Sequence, residues 1–149
     1  MSKTITFRGR LAMGIQDELQ LKTNNGKTGY QIKKFQLISN TPGAGNAEFI
    51  GQIFNKDQTG SIGNAVDFSD GNLLAVCFQK SVSNDGLGAD SENIIFDNKT
   101  FNQNMFISIT DATGNTVECN YYIELEAFPI TDIVATKLTL QSIRTITSR

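Results

Sequence analysis

Histidine does not occur among the 149 residues of this sequence, and its absence excludes several classes of enzyme. Histidine is the side chain best suited to transferring protons near neutral pH, and it is the commonest metal ligand in proteins. Catalysis by Ser-His-Asp or Cys-His groups is therefore excluded, as are most zinc sites. We expect no catalytic residue, no cofactor and no metal site, and hence a protein that is not an enzyme.

Cysteine is also scarce, because Cys77 and Cys119 are the two that the sequence contains, and they allow at most one disulfide. Both lie within apolar patterns typical of strands, which favours buried free thiols over a bond between them. The sequence has none of the dense cysteine spacing of small secreted domains that depend on disulfides.

Long apolar segments are missing as well. No run approaches the ~20 apolar residues that a membrane-spanning helix needs, so we expect no membrane span. The first residues, from Met1 to Arg8, enter an alternating pattern at once and lack the apolar region of a signal peptide. These features predict a protein that is made in a cytoplasm and is kept there or released by lysis.

Apolar residues are spread along most of the chain and make up 39% of it, against 19% charged residues. Because Phe, Ile, Leu and Val recur throughout, the composition argues against disorder. A chain of this length fits one domain, over 1–149, which buries roughly 68–70% of the surface that the unfolded chain exposes.

The strictest alternation of apolar and polar residues covers 116–126 and predicts a strand with one buried face. Glu124 and Glu126 belong to the opposite face and are expected to be exposed. A second alternating segment, 105–110, precedes it, and the Gly-containing link between them predicts that 105–126 forms a β-hairpin. The residues of the buried face are Val117, Cys119, Tyr121, Ile123 and Leu125.

The first forty residues contain two further alternating segments. One covers 4–21, with Gly9 at a mid-strand position that often marks a bulge or a close backbone approach. In the other, 30–38, the apolar phase shifts at Lys33-Lys34, which predicts a β-bulge at that point.

The remaining pattern consists mainly of short strands, which we expect around 47–54, 64–68, 72–79 and 93–96 and over 131–146. Helical patterns with caps are poor, and a single turn near 98–103 is the exception. Eight or nine strands joined mostly by turns predict an all-β, antiparallel sandwich. Because a jelly roll has about eight strands, we expect a jelly-roll-like arrangement.

Charge is divided unevenly along the chain. Residues 1–40 carry seven basic and two acidic side chains, a net charge of +5, whereas 41–149 carry six basic and thirteen acidic ones, a net charge of −7. Strand pairing could mix these charges within one molecule, or a polarised surface could bind neighbouring copies. In the second interpretation basic strands face acidic loops of the next copy. The candidate contacts are then Arg8, Arg10, Lys33, Lys34, Asp67, Asp70, Asp85 and Asp90.

Three other kinds of site have weaker support. Glu124 and Glu126 lie about 6–7 Å apart along one strand, near the spacing of glycosidase carboxylates, but polar neighbours favour a solvated face. The acidic loops 67–72 and 84–92 offer oxygen ligands for calcium, yet they match no EF-hand pattern and ordinary turn chemistry explains them. The sequence pI of about 5.1 argues against nucleic acid as a partner of the basic strands.

Four stretches of the sequence resemble small β-sandwich virion proteins of bacteriophages and environmental viruses. Those proteins are minor capsid, decoration or spike components. The resemblance implies a jelly-roll-like structural component of a virion, made in the host cytoplasm, that acts by contact as a homo-oligomer or with other virion proteins. The stretches are Gly26–Ile32, Val66–Asp70, Ile94–Asn98 and Asn120–Glu126.

A ligand-binding β-sandwich, such as a carbohydrate-binding domain, is the alternative function. Aromatic side chains with one exposed face are the usual glycan-binding platforms, and tryptophan is absent here. Tyr122 is the one aromatic residue that we expect to be exposed from the alternation, and this scarcity favours assembly over glycan binding.

Overall fold

The fold of the chain comes from a computed structural model that describes residues 3–22, 26–40, 47–58, 63–81, 91–96, 100–113 and 118–147. Within these ranges the chain forms eight strands and one helix. In chain order they are β1 (Lys3–Leu11), β2 (Ile15–Leu19), β3 (Thr28–Ser39), β4 (Ala47–Phe54), β5 (Leu73–Ser81), β6 (Ser91–Ile95), β7 (Met105–Asp111), β8 (Cys119–Pro129) and α1 (Asp132–Thr147).

The strands form two antiparallel sheets, with the orders β1-β8-β3 and β2-β7-β4-β5-β6. Three of the ladders, β1–β8, β2–β7 and β4–β5, join strands that are equally far from the two ends of the chain, as in a long hairpin rolled into a jelly roll. The fourth such pair is β3 and β6, which belong to different sheets. These two strands are still in contact, because the side-chain amide of Asn93 in β6 donates to the carbonyl of Phe35 in β3 at 3.1 Å. The predicted antiparallel, jelly-roll-like sandwich is therefore confirmed.

The core lies between the sheets and is built from the inward faces of the strands. Along β8 buried and partly exposed residues alternate strictly, which confirms the buried face predicted there for all its members except Val117, which lies outside the described residues. Each large apolar side chain that is removed from water contributes about 1.5–3 kcal/mol. Side chains with no exposed surface include Phe35, Phe49, Ile53, Met105, Ile107, Ile109, Ile123 and Leu125.

The predicted bulge in β3 is confirmed, because the register between β3 and β8 shifts between Ile32 and Lys34. The extra residue returns Phe35 to the face that already holds Tyr30 and Ile32, and all three are buried. A regular strand would have turned Phe35 outward, since side chains alternate between faces. The bulge thus explains why the apolar pattern changes phase without leaving the core.

The hairpin predicted over 105–126 is wrong. β7 pairs with β2 and β4, whereas β8 lies between β1 and β3 in the other sheet. The link after Asp111 therefore connects the two sheets instead of turning back within one. Both strands are central and bury one face against the same core, so the local pattern of each is the same as in a hairpin.

Two further predicted strands differ from the structure. The first strand ends at Leu11, and the chain turns at Gly14, where φ is 76°, before β2 starts in the other sheet; Ile15 is consequently exposed. Segment 64–68 was predicted to be a strand, but it forms bends and turns. The predicted helical turn near 98–103 is absent from its described residues, 100–103.

The last predicted strand, 131–146, is also wrong, because Asp132–Thr147 is the helix α1. Thr131 caps its first turn: its hydroxyl accepts a bond from the amide of Val134 at 3.3 Å and its carbonyl one from Ala135 at 2.9 Å. Asn102 then donates to the carbonyl of Ala135 at 3.3 Å. The shared phase of Val134, Thr136, Leu138 and Leu140 had favoured a strand. Within the described residues, no helix has the length and apolar character needed to cross a membrane.

Candidate functional site

The outer face of the three-stranded sheet carries the basic residues that we predicted to bind neighbouring copies. Three of them form ion pairs along this face: Arg10 with Glu118 at 3.0 Å, Lys33 with Glu126 at 3.5 Å and Lys34 with Glu124 at 3.7 Å. Because all six belong to one molecule, the interpretation that strand pairing mixes the charges accounts for these cations. Surface pairs of this kind are worth about 0.2–1 kcal/mol each.

Arg8 lies on the same face, opposite Tyr122 in the register between β1 and β8. The prediction that Tyr122, Glu124 and Glu126 are exposed has to be corrected, because all three are half-buried. Long side chains of the two flanking strands cover the central strand of the sheet. The carboxylates of Glu124 and Glu126 each form an ion pair with a lysine of β3.

Two of the four predicted acidic contacts, Asp67 and Asp70, lie in the segment before β5. Asp67 accepts bonds from the amide and the hydroxyl of Ser69 at 2.9 and 2.6 Å, and these bonds hold the pKa of Asp67 below its usual value. Asp70 likewise accepts a bond from the amide of Asn72 at 2.9 Å. Both carboxylates therefore organise turns. Asp85 and Asp90 lie outside the described residues.

An apolar groove on the outer face of the five-stranded sheet is a site that the sequence did not predict. It encloses about 410 Å³. Segment 63–72 forms one side of it, where Val66 and Phe68 remain 38% and 58% exposed, and Ile94 of β6 forms the other at 41%. Val76, Phe78 and Glu92 complete the described lining.

The groove is held open by contacts beside it. Phe68 packs edge-on against Phe96 with ring centroids 5.0 Å apart, and the side-chain amide of Gln52 donates to the carbonyl of Ala65 at 3.2 Å. Beneath the segment, Phe54, Leu73 and Val76 form a small buried cluster separate from the main core. The apolar surface that remains uncovered is therefore part of a built feature.

A second opening, of about 510 Å³, lies where β3 approaches β5 and β6. Cys77 lines it, and burial raises the pKa of this thiol to about 11. Cys119, on the facing sheet, has its pKa raised to about 12, by burial first and then by Cys77. Both cysteines are free and buried, and a thiol that stays protonated is a poor nucleophile and a poor metal ligand.

Tyr121 is another buried residue whose pKa is raised, as burial also raises the pKa of Tyr30. Burial, together with the nearby Asp17 carboxylate, raises its pKa to about 12, and its hydroxyl donates to Asp17 at 3.3 Å. The ring fits because residue 9 is glycine: a Cβ there would lie 2.7 Å from the Tyr121 hydroxyl. The predicted close approach at Gly9 is confirmed, and its role is packing between strands.

Acidic and thiol groups do not gather into a metal site within the described residues, where no cluster of three or more His, Cys, Asp or Glu side chains occurs. The expectation of no catalytic residue, cofactor or metal remains a prediction. The antiparallel β-sandwich is thus the class that the geometry defines. No family model matches the chain, and no curated protein or solved structure is significantly similar to it.

Proposed function

We propose that this protein is a structural component of a virus particle that acts through contacts with its own copies or with other virion proteins. The observation that carries the proposal is the apolar groove around Val66, Phe68 and Ile94, whose side chains remain 38%, 58% and 41% exposed among the residues that the structure describes. Exposed apolar patches that are rimmed by polar groups are typical of protein interaction sites. The jelly-roll-like strand order agrees with the resemblance of the sequence to small virion proteins.

The ion pairs of the three-stranded sheet refine which surface makes these contacts. Arg10, Lys33 and Lys34 already have acidic partners within the same molecule. A contact through them would have to exchange one set of weak pairs for another, which gains little. Val66, Phe68 and Ile94 of the groove remain exposed among the described residues, and burying them would remove hydrophobic surface from water at about 25 cal/mol per Å². We therefore assign the attraction between molecules to the apolar surface. The charges set only the register in which the molecules bind.

Glycan binding is less compatible with the groove. Sugar hydroxyls need several converging hydrogen-bonding groups as well as an aromatic platform. Phe68 supplies an exposed ring, but among the described residues that line the groove Glu92 is the single one with a charged or hydrogen-bonding side chain. The groove thus offers a sugar an aromatic platform but lacks, among its described residues, the polar groups that would select it.

The test is whether the chain co-purifies with virus particles when it is expressed during an infection. Particles and soluble protein are separated on a density gradient, and peptides of this chain are quantified by mass spectrometry in every fraction. We expect the chain to follow the particles at a constant ratio to their other proteins and to survive a wash in high salt. Recovery in the soluble fractions alone, together with binding of the purified protein to a glycan array, would support the alternative.

A further inference from the structure

We propose that an exposed stripe of α1, formed by Ile133, Lys137 and Leu140, docks into the apolar groove of a second copy of this chain. The inference rests on the proposed function, because it names the partner and the surface of the assembly contact. It joins two apolar surfaces that are exposed among the residues that the structure describes.

The stripe has the geometry of a docking helix. Positions 133, 137 and 140 are i, i+4 and i+7 and thus lie on one face, the spacing by which helices anchor in grooves. Ile133 is 83% exposed and Leu140 is 52% exposed, although both are large and apolar. Ala135 is buried on another side of the helix, where its carbonyl accepts the bond from Asn102. The helix is therefore attached to the sandwich with the stripe facing away.

The groove has complementary charge as well as an apolar lining. Glu92 lines it beside Ile94, and Asp67 lies between the two apolar residues of its other side. Lys137 places a cation between the two apolar ends of the stripe. Neither Glu92 nor Lys137 has an ion-pair partner in the part of the chain that the structure describes. A pair between them would fix the register of the helix in the groove.

A second copy is the occupant because each molecule carries both halves of the contact in separate places. The start of α1 is attached beside the first residues of β3, where Asn102 also donates to the carbonyl of Gly26 at 3.1 Å, whereas the groove lies on the outer face of β5 and β6. The contact is therefore head-to-tail. Repeated contacts of this kind close into a ring or continue as a filament.

The test uses the full chain and sedimentation velocity over a range of concentrations. We expect the parent to form oligomers, and we expect Ile133→Asp and Phe68→Asp each to raise the dissociation constant at least about tenfold. Ile15→Asp is the matched control, since Ile15 is 52% exposed but lies on β2, away from both surfaces. Circular dichroism checks that each variant is folded, and Ile94→Asp replaces Phe68→Asp if that variant unfolds.

Mixing identifies the head-to-tail arrangement. Ile133→Asp retains an intact groove and Phe68→Asp an intact helix, so a mixture of the two should form dimers that do not grow further. Glu92→Lys and Lys137→Glu should each weaken association, and the double variant should recover it.

A monomeric parent at every concentration overturns the inference. So does an oligomer that responds to Ile15→Asp as strongly as to Ile133→Asp, but that result leaves assembly itself intact. Incorporation of the chain into particles is measured separately, by the gradient experiment above, so failure of the docking contact and failure of the proposed function can be told apart.

Discussion

The two outer faces of the sandwich differ in how far their side chains make contacts within the same molecule. On the three-stranded sheet, Lys33 and Lys34 at the bulge of β3 form ion pairs with Glu126 and Glu124 of β8, although Ile38 near the end of β3 is 56% exposed. On the five-stranded sheet, Val66, Phe68 and Ile94 leave apolar surface open to solvent. Basic residues that stand out in a sequence can therefore have acidic partners within the same molecule, on neighbouring strands.

The largest expected effect concerns the premise that each sheet has one face in the core. Ile123 is fully buried, whereas its neighbour Tyr122 belongs to the outer face. Ile123→Asp should lower the free energy of unfolding by several kcal/mol, because it buries a charge that has no partner. Chemical denaturation with Tyr122→Asp as the control measures this. A loss within about 0.5 kcal/mol for Ile123→Asp would contradict the assignment of the faces.

The next largest effect concerns the close packing of the two sheets. Because the sheets pack against each other, their outer faces point in opposite directions. A Cβ at Gly51 of β4 would lie 2.8 Å from the Phe35 ring and 3.0 Å from Leu37 of β3. Gly51→Ala should therefore cost about 1–3 kcal/mol through overpacking. Gly63→Ala is the matched control, since a Cβ there meets nothing within 4 Å. Equal stabilities of the two variants would contradict the close approach of β4 to Phe35 and Leu37.

These two predictions also show what the sequence could and could not provide. Alternation along β8 and the phase shift at Lys33-Lys34 are local patterns, so they predicted a buried face and a bulge correctly. Which strand pairs with which depends on contacts between distant segments, and the hairpin over 105–126 failed for that reason. The groove joins segment 63–72 to β5 and β6, and no local pattern shows that Val66 or Phe68 would face outward. The cap at Thr131 was the signal that could have indicated the helix.

A smaller effect is expected from the two thiols, one from each sheet, which share the interior. Burial raises their pKa values above the usual value of a cysteine thiol, to about 11 for Cys77 and about 12 for Cys119. The folded state thus favours the protonated thiols. This stabilisation is complete below about pH 9 and is lost as the pH rises through about 11 to 12. Unfolding experiments from pH 8 to 12 should show this loss, and Cys77→Ser/Cys119→Ser should reduce it to the part contributed by Tyr30 and Tyr121, whose pKa values are also raised.

Reaction with a thiol reagent provides an independent check on the same two residues. Because the thiolate is the reactive form, both cysteines should react at pH 8 after denaturation but scarcely in the native protein. Fast labelling of either native thiol would contradict its burial.

The smallest expected effect lies on the paired face itself. Lys34 and Glu124 are 3.7 Å apart and partly exposed, so a double-mutant cycle with Lys34→Ala and Glu124→Ala should give a coupling of about 0.2–1 kcal/mol. The coupling should shrink in 1 M salt, where the screening length falls to about 3 Å. A coupling of zero at low salt would mean that this face is not internally satisfied, and it would restore the lysines as candidate contacts.

The most direct test of the central claim is sedimentation of the purified protein from 0.1 to 1 M sodium chloride, with Lys33→Glu/Lys34→Glu alongside. The screening length of the salt falls from about 10 Å to about 3 Å over this range, which weakens contacts between exposed charges. Hydrophobic contacts persist. If association depends on the apolar surface, the parent should remain oligomeric at 1 M and the variant should behave like the parent. Association that disappears in high salt and in Lys33→Glu/Lys34→Glu would contradict the account and assign the contact to the basic face.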